Sequence, residues 1–316
     1  MKRFQLIAAL LLMAGCSSNL DNEIIEQPVS GRTFHGYIEE TEGEGSRVFL
    51  DSKMRILWNA NDFITLFEGT TRNKQYIFLG DDGDNAGDFD LYKPGFGSGN
   101  DIDRYYALYP YASTTKYIFG TDEGVEDYIR YSFPATQTYK AGSIGENTNV
   151  MVAVTADLDD FDLCVRNVCS YLRVKLYGAD QTVGSIVFSG NNGEVLTGNI
   201  AITPVYKGYP SMRMLGTGDT GTSLTLDCGD GITINTTKET ATEFWLVVPP
   251  LNFSQGYTVT VNGFYGGSQS FKVTSNRTFA RNTYNTITRE LNISSGAGTN
   301  IGIGNWDNGE NIEAEI

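Results

Sequence analysis

The sequence contains only one histidine, His35. Catalytic triads and Cys-His dyads use histidine as their base, and zinc sites commonly use several histidines as ligands. A lone histidine inside a predicted strand builds neither arrangement. Two carboxylates could still act together as they do in glycosidases, but the 38 acidic residues offer no pair that stands out. We therefore predict that the chain is not an enzyme and has no catalytic residues, cofactor or metal.

Basic residues are also scarce. The chain has 23 Lys and Arg against 38 Asp and Glu, which gives a formal net charge of −15. Proteins that bind nucleic acid neutralise phosphates with basic patches, and anionic membrane surfaces attract the same patches. The sequence therefore excludes nucleic acid as a partner, and an anionic bilayer would repel the folded part.

Beyond residue 60 no stretch has the spacing of apolar residues that a helix packed on one face requires. The chain is instead rich in residues typical of strands and tight turns, with 18 Tyr, 17 Phe and 36 Gly. At 316 residues it is long enough for two ordinary domains with cores of their own. These features predict an all-β fold.

The only marked apolar run near the start, Leu6–Met13, is too short to span a bilayer. It follows Lys2 and Arg3 and ends in Ala-Gly before Cys16, which is the pattern of a secretory signal and resembles the bacterial lipobox. Residues 1–15 are thus predicted to be a signal peptide, Cys16 the lipidated first residue anchored in the outer membrane, and residues 16–32 a tether. The alternative is an ordinary signal peptide cut nearby, with Cys16 unmodified.

Residues 33–160 contain short apolar runs separated by Gly or Asn-Asp, about one every ten residues, which is typical of β-sandwiches. The predicted strands are Thr33–Ile38, Arg47–Leu50, Arg55–Trp58, Phe63–Phe67, Gln75–Leu79, Tyr105–Tyr111, Tyr128–Phe133 and Val150–Val154.

Residues 161–299 predict a second β-sandwich. It opens with Phe161–Leu176, which we interpret as one strand because its residues alternate between apolar and polar. The next strand, Gly184–Phe188, precedes Asn192 and Gly193, a pair typical of a two-residue hairpin. The further predicted strands are Val195–Ile202, Met212–Leu215, Ser223–Leu226, Gly231–Ile234, Glu243–Val248, Tyr257–Val261, Ser270–Val273 and Tyr284–Leu291.

Five segments after the lipobox carry a resemblance to a known family. They are RILWNANDFITLF at Arg55–Phe67, ALYPY at Ala107–Tyr111, FPATQTY at Phe133–Tyr139, NVCSYLRVKL at Asn167–Leu176 and VVPPLNFSQGYTVTV at Val247–Val261. In this order they resemble the fimbrillin-like lipoproteins of Bacteroides-type bacteria, over nearly the whole mature chain. The resemblance implies two tandem transthyretin-like antiparallel β-sandwich domains and a role as a structural or adhesive pilus subunit at the cell surface.

The resemblance also implies a mode of assembly. An arginine-specific protease removes the first strand, here Thr33–Ile38, and a segment of another subunit fills the gap by strand addition. Arg47 is the best-placed cleavage site, since it follows an acidic, glycine-rich stretch, and Arg32 is the second candidate. The donor would be the tail, residues 300–316, in which Ile312, Ala314 and Ile316 alternate with Glu. The alternative is that this tail is a frayed end or the last edge strand of the second sandwich.

A different reading is a surface lipoprotein that does not polymerise and binds a glycan or a host protein. Exposed tyrosines on turns can stack on sugar rings, and Tyr92, Tyr206, Tyr209 and Tyr265 lie in turn-rich stretches.

Two further predictions concern the remaining cysteines and one acidic run. Cys164, Cys169 and Cys228 are predicted to be free thiols, with a Cys169–Cys228 disulfide as the alternative. The run Asp81–Asp90 holds five acids among glycines, which could bind calcium but more often forms a solvated hairpin tip.

Overall fold

The computed structural model describes residues 31–39, 56–120 and 126–293, together with the backbone of Ala314–Glu315. Within these ranges the fold is all-β, as predicted. Helical structure in them is limited to one 3₁₀ turn, Lys238–Thr240. No helix in these segments has the length and apolar character needed to cross a membrane.

The strands up to residue 154 are β1 (Phe34–Ile38), β2 (Phe63–Thr70), β3 (Asn73–Phe78), β4 (Ala86–Lys93), β5 (Asp101–Tyr109), β6 (Lys116–Ile118), β7 (Tyr128–Phe133), β8 (Thr136–Thr138) and β9 (Met151–Val154). The later strands are β10 (Asp162–Asn167), β11 (Ser170–Tyr177), β12 (Thr182–Gly190), β13 (Gly198–Thr203), β14 (Ser211–Met214), β15 (Ser223–Thr233), β16 (Thr242–Val248), β17 (Asn252–Phe253), β18 (Tyr257–Gly263), β19 (Ser268–Val273), β20 (Arg277–Thr278), β21 (Thr283–Glu290) and β22 (Ala314–Glu315).

Seven strands form one closed sheet, in the order β1-β10-β9-β5-β2-β3-β4, which we call the barrel. Strand β1 closes it. This strand runs parallel to β10, with His35 opposite Asp162, and antiparallel to β4, with Phe34 opposite Phe89. Because β1 is paired on both sides, the barrel has no free edge at this point.

Aromatic side chains fill the barrel. Phe34 meets Tyr105 edge-on at a centroid distance of 4.9 Å, and Trp58 meets Phe89 in the same way at 5.1 Å. All four rings are buried, and large inward-facing side chains are what a small closed sheet needs to fill its interior. Gly36 fits against this packing because a Cβ there would lie 2.6 Å from the ring of Phe89.

The prediction of one strand over Phe161–Leu176 is wrong, since β10 belongs to the barrel and β11 to another sheet. The break is fixed by Asn167, whose side chain donates to the carbonyl of Cys169 and accepts from its N–H, both at 3.1 Å. Such local side-chain bonds replace ladder bonds and end a strand. The predicted alternation does hold within β11, where Leu172, Val174 and Leu176 are buried.

The other sheets have the orders β16-β11-β21-β22, β19-β18-β12-β15-β8, β14-β13-β7-β6 and β17-β20. The predicted hairpin after Gly184–Phe188 is wrong, because β12 pairs with β15 and β18, whereas β13 pairs with β7 and β14. Asn191 instead holds the turn after β12 against a later part of the chain, because its side-chain amide donates to the carbonyls of Gln255 and Val273.

Strand pairing crosses the predicted boundary at residue 160. In β7, Tyr131 lies opposite Ile200 of β13, and β8 pairs with β15. A single cluster of buried apolar side chains extends from Phe34 to Leu291. The prediction of two tandem transthyretin-like sandwiches is therefore not confirmed, since a closed seven-stranded sheet occupies much of the first half and later strands complete sheets begun there.

Candidate functional site

The N-terminal strand β1 is the element on which the predicted assembly depends. Its burial alternates, with Phe34, Gly36 and Ile38 inside the barrel and His35 and Tyr37 outside. The strand combines an apolar inner face with hydrogen bonds to both neighbours, so removing it would uncover backbone groups and apolar core together.

Glu39 follows β1 directly and is 5% exposed. Its Oε1 accepts from the backbone N–H of Asn167 at 3.0 Å and lies 2.6 Å from Nη1 of Arg281. Its Oε2 lies 3.1 Å from Nη1 of Arg166. We call Glu39, Arg166 and Arg281 the Glu39 cluster. It joins the end of β1 to β10 and to the segment that precedes β21.

Tyr209 covers this cluster. Its ring lies 4.6 Å from the guanidinium carbon of Arg281 and 5.6 Å from that of Arg166. Two guanidinium groups share one carboxylate here, and the electron-rich face of the ring partly offsets the remaining positive charge. Arg281 also donates to the carbonyl of Asn167 at 2.6 Å, which fixes its position.

The other end of β1 is held by Arg32. Its guanidinium donates to the hydroxyl of Tyr105, lies 4.0 Å from Glu68 and stands over the ring of Phe161 at 5.6 Å. Glu68 in turn accepts from Tyr76 at 2.9 Å. Burial and the adjacent Glu68 carboxylate raise the pKa of Tyr76 well above its usual value. Both ends of β1 are therefore tied by ionic contacts.

Arg32 is the one predicted cleavage site that the structure describes, and its side chain is engaged in these contacts. Arg47, the other predicted site, and Cys16, the predicted lipidation site, lie outside the described residues. So do Ile312 and Ile316. The backbone of Ala314–Glu315 forms β22, which pairs antiparallel with β21 at the edge of its sheet, Ala314 opposite Tyr284.

The acidic residues of Asp81–Asp90 take part in local contacts. Asp82 accepts from the N–H of Ala60 at 2.8 Å, and Asp84 accepts from the N–H of Asp81 at 2.9 Å. Asp88 lies 3.0 Å from Nδ1 of His35. In the described ranges no three His, Cys, Asp or Glu side chains are grouped as metal ligands.

The cysteines of the described residues are free. Cys169 and Cys228 are buried, and this burial raises the pKa of each thiol to about 12. Cys164 is only partly buried.

The four tyrosines that the sequence singled out differ in their surroundings. Tyr92 packs on Phe63 at a centroid distance of 5.0 Å and is partly buried. Tyr206, Tyr209 and Tyr265 are 40%, 69% and 79% exposed. Three of the four are thus accessible to a ligand.

Sequence reasoning did not identify the Glu39 cluster. Glu39 and Arg281 are 242 positions apart, and each is one charged residue among many. The pairing of β1 with β10 places Glu39 beside Arg166, and Arg281 reaches the same place through its bond to the carbonyl of Asn167. A single sequence contains no signal for these contacts.

No protein-family model matches this sequence, and no curated protein matches it. Solved structures do show similarity. A candidate cell adhesion protein from Bacteroides ovatus is 12% identical over 84% of this chain and 92% of that one, with a TM-score of 0.45. A fimbrial protein from Bacteroides ovatus is 13% identical over 82% of this chain and 50% of that one, with a TM-score of 0.33. The tip fimbrial protein Mfa3 from Porphyromonas gingivalis, solved with a C-terminal truncation, is 7% identical over 81% of this chain and 94% of that one, with a TM-score of 0.29. At these TM-scores we base no inference on the similarity.

Proposed function

We propose that this chain is a fimbrillin-like surface lipoprotein, anchored in the outer membrane through lipid on Cys16, that joins other pilus subunits by strand exchange. The sequence segments quoted above and the export signal support the family and the location. The observation that carries the mechanism is the position of β1, the N-terminal strand that closes the barrel between β4 and β10.

Loss of β1 would turn the barrel into an open sheet of six strands with β4 and β10 as its edges. Both edges would carry unpaired N–H and C=O groups beside apolar core, which is the surface that an added strand covers. An incoming segment needs apolar residues at alternate positions, with a small one in the place of Gly36, which lies against the ring of Phe89. The tail residues Ile312, Ala314 and Ile316 alternate as Phe34, Gly36 and Ile38 do. Ala314 in the place of Gly36 would require the ring of Phe89 to move, since a Cβ there would lie 2.6 Å from it.

The place of the cut decides whether β1 can leave. Arg32 precedes β1, so cleavage there would release only the tether. Arg47 follows β1, so cleavage there would separate the strand from the rest of the chain. We therefore propose Arg47 as the activating site, with an uncut, lipidated chain serving as an anchor subunit.

The test is the N-terminal sequence of the protein recovered from the surface of the cells that produce it, alongside treatment of the purified chain with trypsin. We expect an N-terminus at Val48 and ladders of stable oligomers after trypsin. The R47A variant should lack the Val48 N-terminus, and R32A should behave like the wild type. Because trypsin also cleaves after Lys53 and Arg55, which likewise follow β1, the loss of ladders is tested with R47A, K53A and R55A combined. Trypsin-treated wild-type chain that loses its N-terminal piece and stays monomeric would overturn strand exchange.

The second candidate function is that of a non-polymerising surface lipoprotein that binds a glycan or a host protein. It is favoured by the way β1 is held, with ladder partners on both sides and the Glu39 cluster at its end. On this proposal the protease-treated chain keeps residues 33–39 bound and remains a monomer. Native mass spectrometry after trypsin distinguishes the two, since the mass either retains or loses the N-terminal piece.

A further inference from the structure

A cleft of about 280 Å³ lies on the outer face of the barrel. One wall is formed by side chains of β1, β9 and β10, including Tyr37, Asp162 and Arg166. The other wall is the loop of residues 204–210 that joins β13 to β14, including Tyr206 and Lys207. This volume is just below the range of roughly 300–1,000 Å³ usual for small-molecule sites and suits a compact ligand.

Exposed apolar side chains gather around this cleft. Tyr37, Val205 and Tyr206 line it and are 39%, 46% and 40% exposed. Tyr209, in the same loop, is 69% exposed and stacks on Arg166, which also lines the cleft. Aromatic rings left in contact with water next to a cavity commonly mark a contact site for a ligand, and a tyrosine ring can stack on the apolar face of a sugar.

The charged side chains in the lining balance each other. Asp160 and Asp162 supply two negative charges, and Arg166 and Lys207 supply two positive charges. Arg166 is further compensated by Glu39 at 3.1 Å. A wall without net charge gives no advantage to an anionic or a cationic ligand, whereas its carboxylates, ammonium group and phenols can bond to neutral hydroxyl groups.

A peptide cannot bind at this cleft by adding a further strand to the sheet. Strand β1 is paired with β4 and β10, β10 with β1 and β9, and β9 with β10 and β5. Peptides that bind to sheets usually do so along an unpaired edge, where main-chain hydrogen bonds supply the affinity. The strands that form this wall have no such edge.

We propose that this cleft binds a neutral saccharide, with sugar rings stacked on Tyr206 and Tyr37 and ring hydroxyl groups donating to Asp162 and Asp160. This inference rests on the second candidate function, contact with a glycan, and is independent of strand exchange. It locates that contact at one site and gives the ligand its chemical class. Since Tyr37 belongs to β1, the site exists only while β1 is in place.

The test is binding of the full mature chain to an array of neutral and acidic mono- to tetrasaccharides, followed by calorimetric titration with the neutral sugar that binds best. The Y206A and D162N variants should each weaken binding about tenfold or more, which is the loss of one good contact. The matched control is Y265A, which removes an exposed tyrosine of the turn between β18 and β19. It should bind as the wild type does.

Thermal unfolding of each variant shows whether it is folded, and Tyr206 lies in a surface loop where truncation leaves the core intact. The proposal is overturned if no neutral sugar binds, if acidic sugars bind better than neutral ones, or if Y206A and D162N both bind as well as Y265A. Trypsin-treated chain supplies a separate readout, because strand exchange can fail there while saccharide binding by the intact chain persists.

Discussion

The carboxylate of Glu39 and the guanidinium of Arg281 are 2.6 Å apart, although 242 positions separate the two residues. Glu39 directly follows β1, and Arg281 precedes β21, whose sheet is built from the second half of the chain. This contact therefore connects the strand that closes the barrel with a distant sheet. It places the strongest polar restraint on β1 at the end nearest the proposed cleavage site.

The E39Q substitution tests that restraint. It keeps the size of the side chain but removes its charge and leaves Arg166 and Arg281 without their anion. Breaking a buried ion pair from one side costs about 3–5 kcal/mol, and we expect about 3 kcal/mol because both arginine side chains are 20% exposed. Urea unfolding measures the change.

The control for this experiment is D103N, which removes a charge that pairs with Arg104 at the surface, where the side chain of Asp103 is 75% exposed. Surface pairs of this kind contribute about 0–1 kcal/mol. Equal urea midpoints for E39Q and D103N would show that the Glu39 cluster does not hold β1.

The buried carboxyl group of Asp62 predicts that the free energy of unfolding depends on pH. Burial raises its pKa from 3.8 to about 6, against the opposing hydrogen bonds from Asn59 and Tyr109. The folded state therefore holds a proton between about pH 4 and 6 that the unfolded state has lost, so this group's contribution to stability falls as pH rises through that window. A difference of about two pKa units corresponds to about 3 kcal/mol.

The D62N variant removes this titration. The unfolding free energy of the wild type minus that of D62N should fall by about 2 kcal/mol between pH 4 and pH 7. Urea unfolding at a series of pH values provides the measurement. A difference that is constant with pH, or that rises, would contradict the assignment.

The packing around Gly36 leaves no room for a larger residue at this position. A methyl group there would lie 2.6 Å from the ring of Phe89, which is already in contact with Trp58 and Phe78 at centroid distances of 5.1 Å. Replacing glycine by alanine in a strand otherwise raises the unfolding free energy by about 0.5–1 kcal/mol. Overpacking a core lowers it by about 1–3 kcal/mol. We expect G36A to lower the unfolding free energy.

A double-mutant cycle separates this contact from other effects of the methyl group. In the F89L background the ring is gone, so the same G36A change should be neutral or stabilising. Additive effects of the two substitutions would mean that Phe89 does not set the size of residue 36.

We expect the three cysteines of the described residues to differ in their reactivity toward thiol reagents. Cys164 lines the saccharide cleft and is partly exposed, whereas Cys169 and Cys228 are buried with pKa values near 12. Since the thiolate is the reactive form, a thiol reagent at pH 8 should label Cys164 and neither of the other two cysteines in the described residues. Peptide mapping identifies the site, and C164S should remove the label. Rapid labelling at Cys228 in the native chain would contradict the burial described here.

Local patterns in the sequence predicted local structure well. The alternation of β1 and β11 and the continuous apolar run at β9 each place the right residues inside the core. The composition alone indicated an all-β fold. These features follow from the two-residue period of a strand, which needs no knowledge of its partner.

The partners of the strands could not be predicted in this way. Nothing in the alternation of β1 indicates that it lies between β4 and β10, and nothing in β12 indicates that it pairs with β15 and β18. The break at Asn167 was missed because its cause is a pair of side-chain bonds to the backbone of Cys169 within an otherwise continuous pattern. The Glu39 cluster and the cleft that we propose binds a saccharide depend on those pairings, so neither could be identified without the structure.

The direction of β1 has a consequence for any filament built from this protein. Because β1 runs parallel to one neighbour and antiparallel to the other, a replacement must enter with the same orientation to match both sets of backbone groups. Each subunit would then face the same way as the one before it. Such a fibre has two chemically different ends, one that presents an empty slot and one that presents a free tail.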